Sequence, residues 1–179
     1  MLPVSSGGHA SGVWKALREL HEAGAIADVP ELYFVQAAAC APIAEAFDAD
    51  ADEVTSVVAG ETIAYSIANA DPPSGNRALR AARETSGAVI AVSDDEIRAA
   101  QHALAADAGI TVETSSATAL AGTKRLVERG TIGSSDHVAA VLTGTGLKEA
   151  SAAGSPTSAD HVELPSLGEY LVEFASTAD

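Results

Sequence analysis

The chain has 179 residues, enough for one domain around a single buried core and too few for two independent ones. Its composition, 47% hydrophobic but only 4% aromatic, suits an α/β protein of small-residue helices packed on strands. The formal charge of -15 argues against a nucleic-acid surface, which needs basic patches, and no run reaches the ~18 apolar residues of a membrane span.

In chain order, Leu2 to Val4 reads as the end of a strand and the SSGGHASG run as a turn. Gly12 to Ala23 carries helical periodicity through Val13, Leu17 and Leu20. Glu31 to Ala37 is rich in β-formers, Ala41 to Phe47 reads as a helix behind Pro42, and Asp48 to Glu53 as an acidic surface loop. Cys40 lies between them as the single cysteine, which makes no internal disulfide and reads as a small buried hydrophobe. Glu61 to Ala70 reads as helical, ended by the PPSGN turn, whose prolines cannot continue it.

Asn76 to Thr85 is expected to be a helix with arginines on one face, followed by a strand over Ala88 to Val92. Ser93, with Glu96 three residues on, makes a capping box that opens a helix to about Ala106. Ile110 to Val112 reads as a short strand, Ser116 to Arg129 as a helix with a basic last turn, and His137 to Leu142 as the last clear strand. The alternation predicts a doubly wound, mostly parallel α/β sheet over 1–150, and 151–179 reads as a linker and tail with a closing amphipathic helix. The five histidines lack metal-ligand spacing, so no structural metal is expected. Acid spread along a lysine-poor chain fits a soluble cytoplasmic protein, with a salt-loving cytoplasm favoured.

Two turns follow strands, where open α/β sheets bind ligands. In the first, Ser5, Ser6, Gly7, Gly8, His9, Ala10 and Ser11 lead directly into a helix, so free amides and the helix dipole would favour an anion such as phosphate. Small residues kept there only for packing explain the turn equally well, and it matches neither a P-loop nor GxGxxG. In the second, Thr143, Gly144, Thr145 and Gly146, a hydroxyl stands at a strand end, able to bond a heteroaromatic nitrogen without charging it.

Four blocks in this order, PVSSGGHASGVWKAL, ETIAYSIANADPPSGNRALRAARETSGAVIAVSDDEI, GITVETSSATALAG and VLTGTGLKE, resemble the C-terminal half of the threonine synthase family of fold-type II pyridoxal-phosphate enzymes, over roughly Pro3 to Glu149. The resemblance implies that Ser5, Ser6, Gly7, Gly8 and His9 form the loop around the phosphate of pyridoxal 5'-phosphate, with Ser11 as an additional contact. It also implies that Thr143 faces the pyridine nitrogen as a neutral partner, suited to elimination and replacement chemistry. Ser5, Ser6 and His9 depart from the family's usual Gly, Asn and Asn. Thr114 replaces the proline that usually follows Glu113, which is read here as a helix-start carboxylate in preference to a site residue.

The family reaction converts O-phosphohomoserine and water to threonine and phosphate, and it needs a Schiff-base lysine in a segment like Ser-Phe-Lys-Asp-Arg-Gly. Lys15, Lys124 and Lys148 lack that context, so no catalytic residue is assigned. The chain is expected to be inactive alone, and to take its amino-acid substrate with a complementary N-terminal chain or as a homo-oligomer. Two further readings stay open: a portion of a related dehydratase, disfavoured by LTGTGLKE, and a noncatalytic remnant domain.

Overall fold

The computed structural model describes residues 1–149, and the linker and closing helix expected over 151–179 lie outside them. Three parallel strands, β1 (Leu2–Pro3), β2 (Tyr33–Ala37) and β3 (Ala88–Val92), form a sheet in the order β1-β2-β3. Leu2 pairs with Phe34, and Tyr33 with Ala88. Five helices connect and cover it: α1 (Gly8–Glu22), α2 (Pro42–Asp48), α3 (Gly75–Glu84), α4 (Asp94–Ala108) and α5 (Thr114–Glu128).

The period-2 alternation of the strands divides the core in two. Val35, Ala37, Ile90 and Val92 point to the face covered by α4 and α5, where Ile97, Ala117 and Leu126 meet them. Phe34 and Val89 point to the opposite face, against Ala10 of α1, Ile43 of α2 and Leu79 of α3. Helices on both faces make the fold doubly wound. Fully buried side chains such as Phe34 and Ile43 each contribute about 1.5–3 kcal/mol relative to exposure.

Several elements follow local chemistry closely. Pro42 stands at the start of α2, where its missing N–H costs nothing. Ser93 Oγ accepts from Glu96 N, and the Glu96 carboxylate accepts in return from Ser93 N, so the capping box opening α4 is complete. Helix α1 starts at Gly8, inside the run read as a turn and four residues earlier than its apolar periodicity suggests, so His9 to Gly12 are helical. Cys40 is a buried free thiol.

Three expected elements differ. Glu61 to Ala70 holds only a 3-10 turn, Tyr65–Ile67. Backbone groups that a helix would use internally are bound elsewhere: Ile63 N donates to Asp94 and Ile63 O accepts from Thr114 Oγ1. The Ile110 to Val112 strand is reduced to an isolated bridge between Val112 and Thr145. The strand expected over His137 to Leu142 makes no ladder, because its neighbour at the sheet edge is Met1 alone: the Met1 ammonium donates to Ala139 O at 2.9 Å and Val141 N donates to Met1 O at 3.0 Å. Among the described residues no helix is long and apolar enough to cross a membrane.

Candidate functional site

At the carboxyl end of β1 the chain turns through Ser5, Ser6 and Gly7 into α1. Gly7 is the N-cap and adopts φ 82°, a left-handed conformation that glycine reaches without steric cost. The PPSGN turn holds this loop from the side, through Ser74 N donating to Ser6 O at 2.8 Å. No side chain caps α1. The first N–H groups of the helix, those of Gly8, His9 and Ala10, have no acceptor within the helix and are presented, together with its dipole, at the loop.

The second turn is anchored to the start of α5. Glu113 N donates to Gly144 O at 3.2 Å, Gly144 N donates to Ser116 Oγ at 3.4 Å, and Gly146 N donates to Thr111 O at 3.1 Å. Glu113 is buried, yet its carboxylate does not cap α5. That task belongs to Glu149, whose Oε2 accepts from Thr114 N at 2.9 Å and whose Oε1 lies 2.9 Å from Thr114 Oγ1. The single Thr114 hydroxyl proton is shared between this contact and Ile63 O at 2.7 Å. The Glu113 carboxylate instead packs against Gly144, where any Cβ would overlap its Oε1, and Lys148 Nζ lies 3.9 Å away.

The two turns meet. Ser5, Ser6, Gly7, His9, Glu113 and Thr143 line one cavity of ≈ 200 Å³. Five of the seven residues singled out from the sequence are therefore together. Gly8 and Ser11 are not among its lining residues: both border a separate open groove along the outer side of α1, and Ser11 Oγ is engaged in donating to Gly7 O at 2.7 Å. Glu113 stands at the start of α5 as its N-cap residue, but its side chain makes no capping hydrogen bond there, and Glu149 supplies the acceptor for Thr114 N. Ser66 and Ile67, on the 3-10 turn, also border the cavity. A run read as helix gave no sign of them.

Chemically the cavity wall offers both donors and acceptors. Backbone N–H groups and two serine hydroxyls suit a phosphate without a basic side chain. A threonine hydroxyl and a carboxylate suit a polar ring edge. The volume is below the ~300–1,000 Å³ usual for a whole small-molecule site, so these residues form a partial cradle. None of Lys15, Lys124 and Lys148 lines it.

Comparisons with known proteins bear on the family and the fold. Residues 1–144 match the sequence model of the family described as pyridoxal-phosphate dependent enzyme. The chain is 37% identical over 153 residues to a threonine synthase of Methanocaldococcus jannaschii, covering 86% of this chain and 38% of that protein. It is 32% identical over 164 residues to a threonine synthase of Halalkalibacterium halodurans, covering 92% and 44%. It thus spans less than half the length of these relatives. Among solved structures, a fungal L-serine ammonia-lyase from Rhizomucor miehei superposes with a TM-score of 0.66 at 24% identity, over 97% of this chain and 49% of that one. Maize serine racemase gives 0.61 at 18% identity, over 97% and 46%. At such identities the superpositions speak for the fold alone.

Proposed function

Because the chain belongs to the pyridoxal-phosphate dependent enzyme family, whose sequence model it matches over residues 1–144, we propose that it forms the phosphate-and-ring end of a threonine synthase-type site. The reaction served is conversion of O-phosphohomoserine and water to threonine and phosphate. One observation carries the reading: Ser5, Ser6, Gly7 and His9 of the first turn and Thr143, distant in sequence, face a common cavity at the carboxyl end of β1. The identity to threonine synthases supports this choice of reaction.

Pyridoxal 5'-phosphate fits the residues present. Its phosphate matches the uncapped N–H groups at the start of α1 and the Ser5 and Ser6 hydroxyls. Its ring nitrogen matches the Thr143 hydroxyl, which lines the same cavity. When bound, the cofactor supplies an electron sink for charge that builds on the substrate carbon. The chain's own work is to hold the phosphate, fix the ring and place polar groups along its nitrogen edge. Glu149 and Gly144 contribute indirectly, by locking the Thr143 turn to α5.

The covalent lysine comes from outside this sequence, from a complementary N-terminal chain or segment. Lys15 and Lys148 are 71% and 63% exposed, Lys124 is also exposed, and all three lie off the cavity wall. Absorbance and fluorescence titration of the purified chain with pyridoxal phosphate, followed by borohydride reduction and peptide mapping, tests this division of labour. The expected result is saturable binding with no reduced lysine adduct. A stoichiometric adduct at one of the three lysines would overturn the assignment of the covalent step to another chain, and an absence of saturable binding would overturn the cofactor site.

A further inference from the structure

We propose that the acidic segment of this chain over residues 160–179 docks into the groove along the outer side of α1, between α1 and Arg77 of α3, and covers Trp14. The proposal is independent of the cofactor reading.

Helix α1 is thinly covered by the rest of the protein. Only Ala10 of its 15 residues is buried, Val13, Trp14 and Leu17 are half-buried, and Leu20 is 44% exposed. Trp14 borders the groove, with the Arg18 guanidinium 5.2 Å from its ring centre. Lys15, Arg18 and Arg77 border it as well, three of the ten lysines and arginines in a chain of net charge -15. Glu19 and Glu22 are also on its border, but each is engaged along the helix, Glu19 by Lys15 and Glu22 by Arg18 at 3.5 Å. Arg77 makes no ion pair among the described residues. Such a groove selects an occupant with apolar side chains for Trp14 and carboxylates for the cations around it.

The closing segment meets both requirements. It holds Asp160, Glu163, Glu169, Glu173 and Asp179 with no lysine or arginine, and Leu164, Leu167, Leu171 and Phe174 recur in it at helical spacing. Position favours the same occupant. The described chain stops at Glu149, which is fastened to Thr114 at the start of α5. Glu113, beside Thr114, borders the cavity it shares with Ser5, Ser6 and Gly7, and Gly8, the next residue, borders the groove. The segment therefore departs from the same end of the sheet as the groove, and residues 150–159 alone can span up to about 33 Å. The second groove beside α1, lined by Val13 and Leu17, suits it less. That groove lies towards the amino ends of β1 and β2, and its acidic side chains, Glu31 and Asp136, repel a carboxylate-rich segment.

The test uses the full chain. Zero-length carbodiimide coupling at low protein concentration is expected to join Lys15 to a carboxylate of residues 160–179 within one chain, as read by peptide mapping of the monomer. Trp14 is the only tryptophan, so its quenching by acrylamide reports the cover directly. In the full-length triple variant Leu167→Ser, Leu171→Ser, Phe174→Ser, quenching should rise roughly twofold as the half-buried indole opens to solvent. Arg77→Glu should lower the cross-link yield roughly threefold, the scale of an exposed charge pair. Coupling of Lys15 only between chains, with a yield that rises with concentration, identifies a second copy as the occupant and overturns the proposal. So does a Lys15 that links to nothing beyond residue 149, or quenching that is the same in wild type and the folded triple variant. The wild-type cross-link decides the matter even where a variant fails to fold.

Discussion

Gly7 and Ser74 are in direct backbone contact across 67 residues of sequence, with the Gly7 α-carbon so close to the Ser74 carbonyl that a Cβ built on residue 7 overlaps its oxygen and carbon. The same residue has φ 82°. Both constraints act on one substitution. Gly7→Ala should destabilise the protein by about 2 kcal/mol, through left-handed strain together with displacement of the PPSGN turn. It should also weaken phosphate binding beyond what the loss of stability explains. Gly8→Ala is the control, since its Cβ would meet only Ser6 Oγ at an ordinary 3.7 Å. Thermal unfolding and phosphate titration of the two variants should separate clearly, and equal behaviour would refute the constraint at residue 7.

Glu149 joins the second turn to α5 through Thr114, whose backbone and hydroxyl both face its carboxylate. Removing the acceptors in Glu149→Ala leaves a buried N–H without a partner, at a cost of about 1–3 kcal/mol. Glu149→Gln keeps an acceptor and should cost less than half as much. Urea unfolding gives the stabilities, and hydrogen exchange at the Thr114 amide gives the local effect. Unchanged exchange in Glu149→Ala would show that the carboxylate is not the cap.

Much of this arrangement was legible in the sequence, for definite reasons. The strand over residues 88–92 and the capping box at Ser93 depend on neighbouring residues only, and both are present as read. The meeting of Ser5, Ser6, Gly7 and His9 with Thr143 is not local, and only the order of family blocks points to it. What stayed hidden depends on long-range competition for backbone groups. The run over 61–70 has the apolar content of a helix, but Asp94 and Thr114, distant in sequence, engage Ile63 on both its N–H and its carbonyl. Glu113 stands at the helix start as read, but no local pattern signals that Glu149, 36 positions later, supplies the capping acceptor in place of the Glu113 side chain.

Gln36 shows the same kind of hidden partnership inside the core. It is fully buried on β2, and its Oε1 accepts from Ile43 N at 2.9 Å and Ala44 N at 3.1 Å. Helix α2 has no side-chain cap of its own, so Gln36 serves it from the neighbouring strand. Gln36→Leu should cost about 1–3 kcal/mol, because two buried donors lose their acceptor. The cost is moderated by Gln36 Nε2, which has no partner among the described residues and is itself a penalty that leucine removes. Chemical denaturation with hydrogen exchange at residues 43 and 44 measures both terms, and a variant as stable and as protected as wild type would rule out the capping role.

Glu96 gives a pH-dependent test. Burial pushes its carboxyl up, but the Ser93 hydroxyl and amide and the Arg125 guanidinium together favour the charged form, so the net position is below the ordinary carboxylate range. Arg125 Nε donates to Glu96 Oε1 at 2.8 Å, and its Nη1 donates to the Ala91 carbonyl, so the ion pair ties α4, α5 and β3 together. A carboxyl depressed in the folded state means that the unfolded chain binds more protons in the acid range. The stabilisation is therefore complete above the unfolded value of roughly 4.3 and fades as pH falls through the lower folded value. Glu96→Gln should be less stable than wild type by about 1 kcal/mol at neutral pH, since one cap and one partly exposed ion pair are weakened. That gap should close on acidification. Comparing wild type with the variant at each pH cancels the general effect of neutralising the other acidic residues, which both proteins share. A stability gap that persists undiminished well below the carboxylate range would mean that Glu96 contributes through packing, and not through its charge.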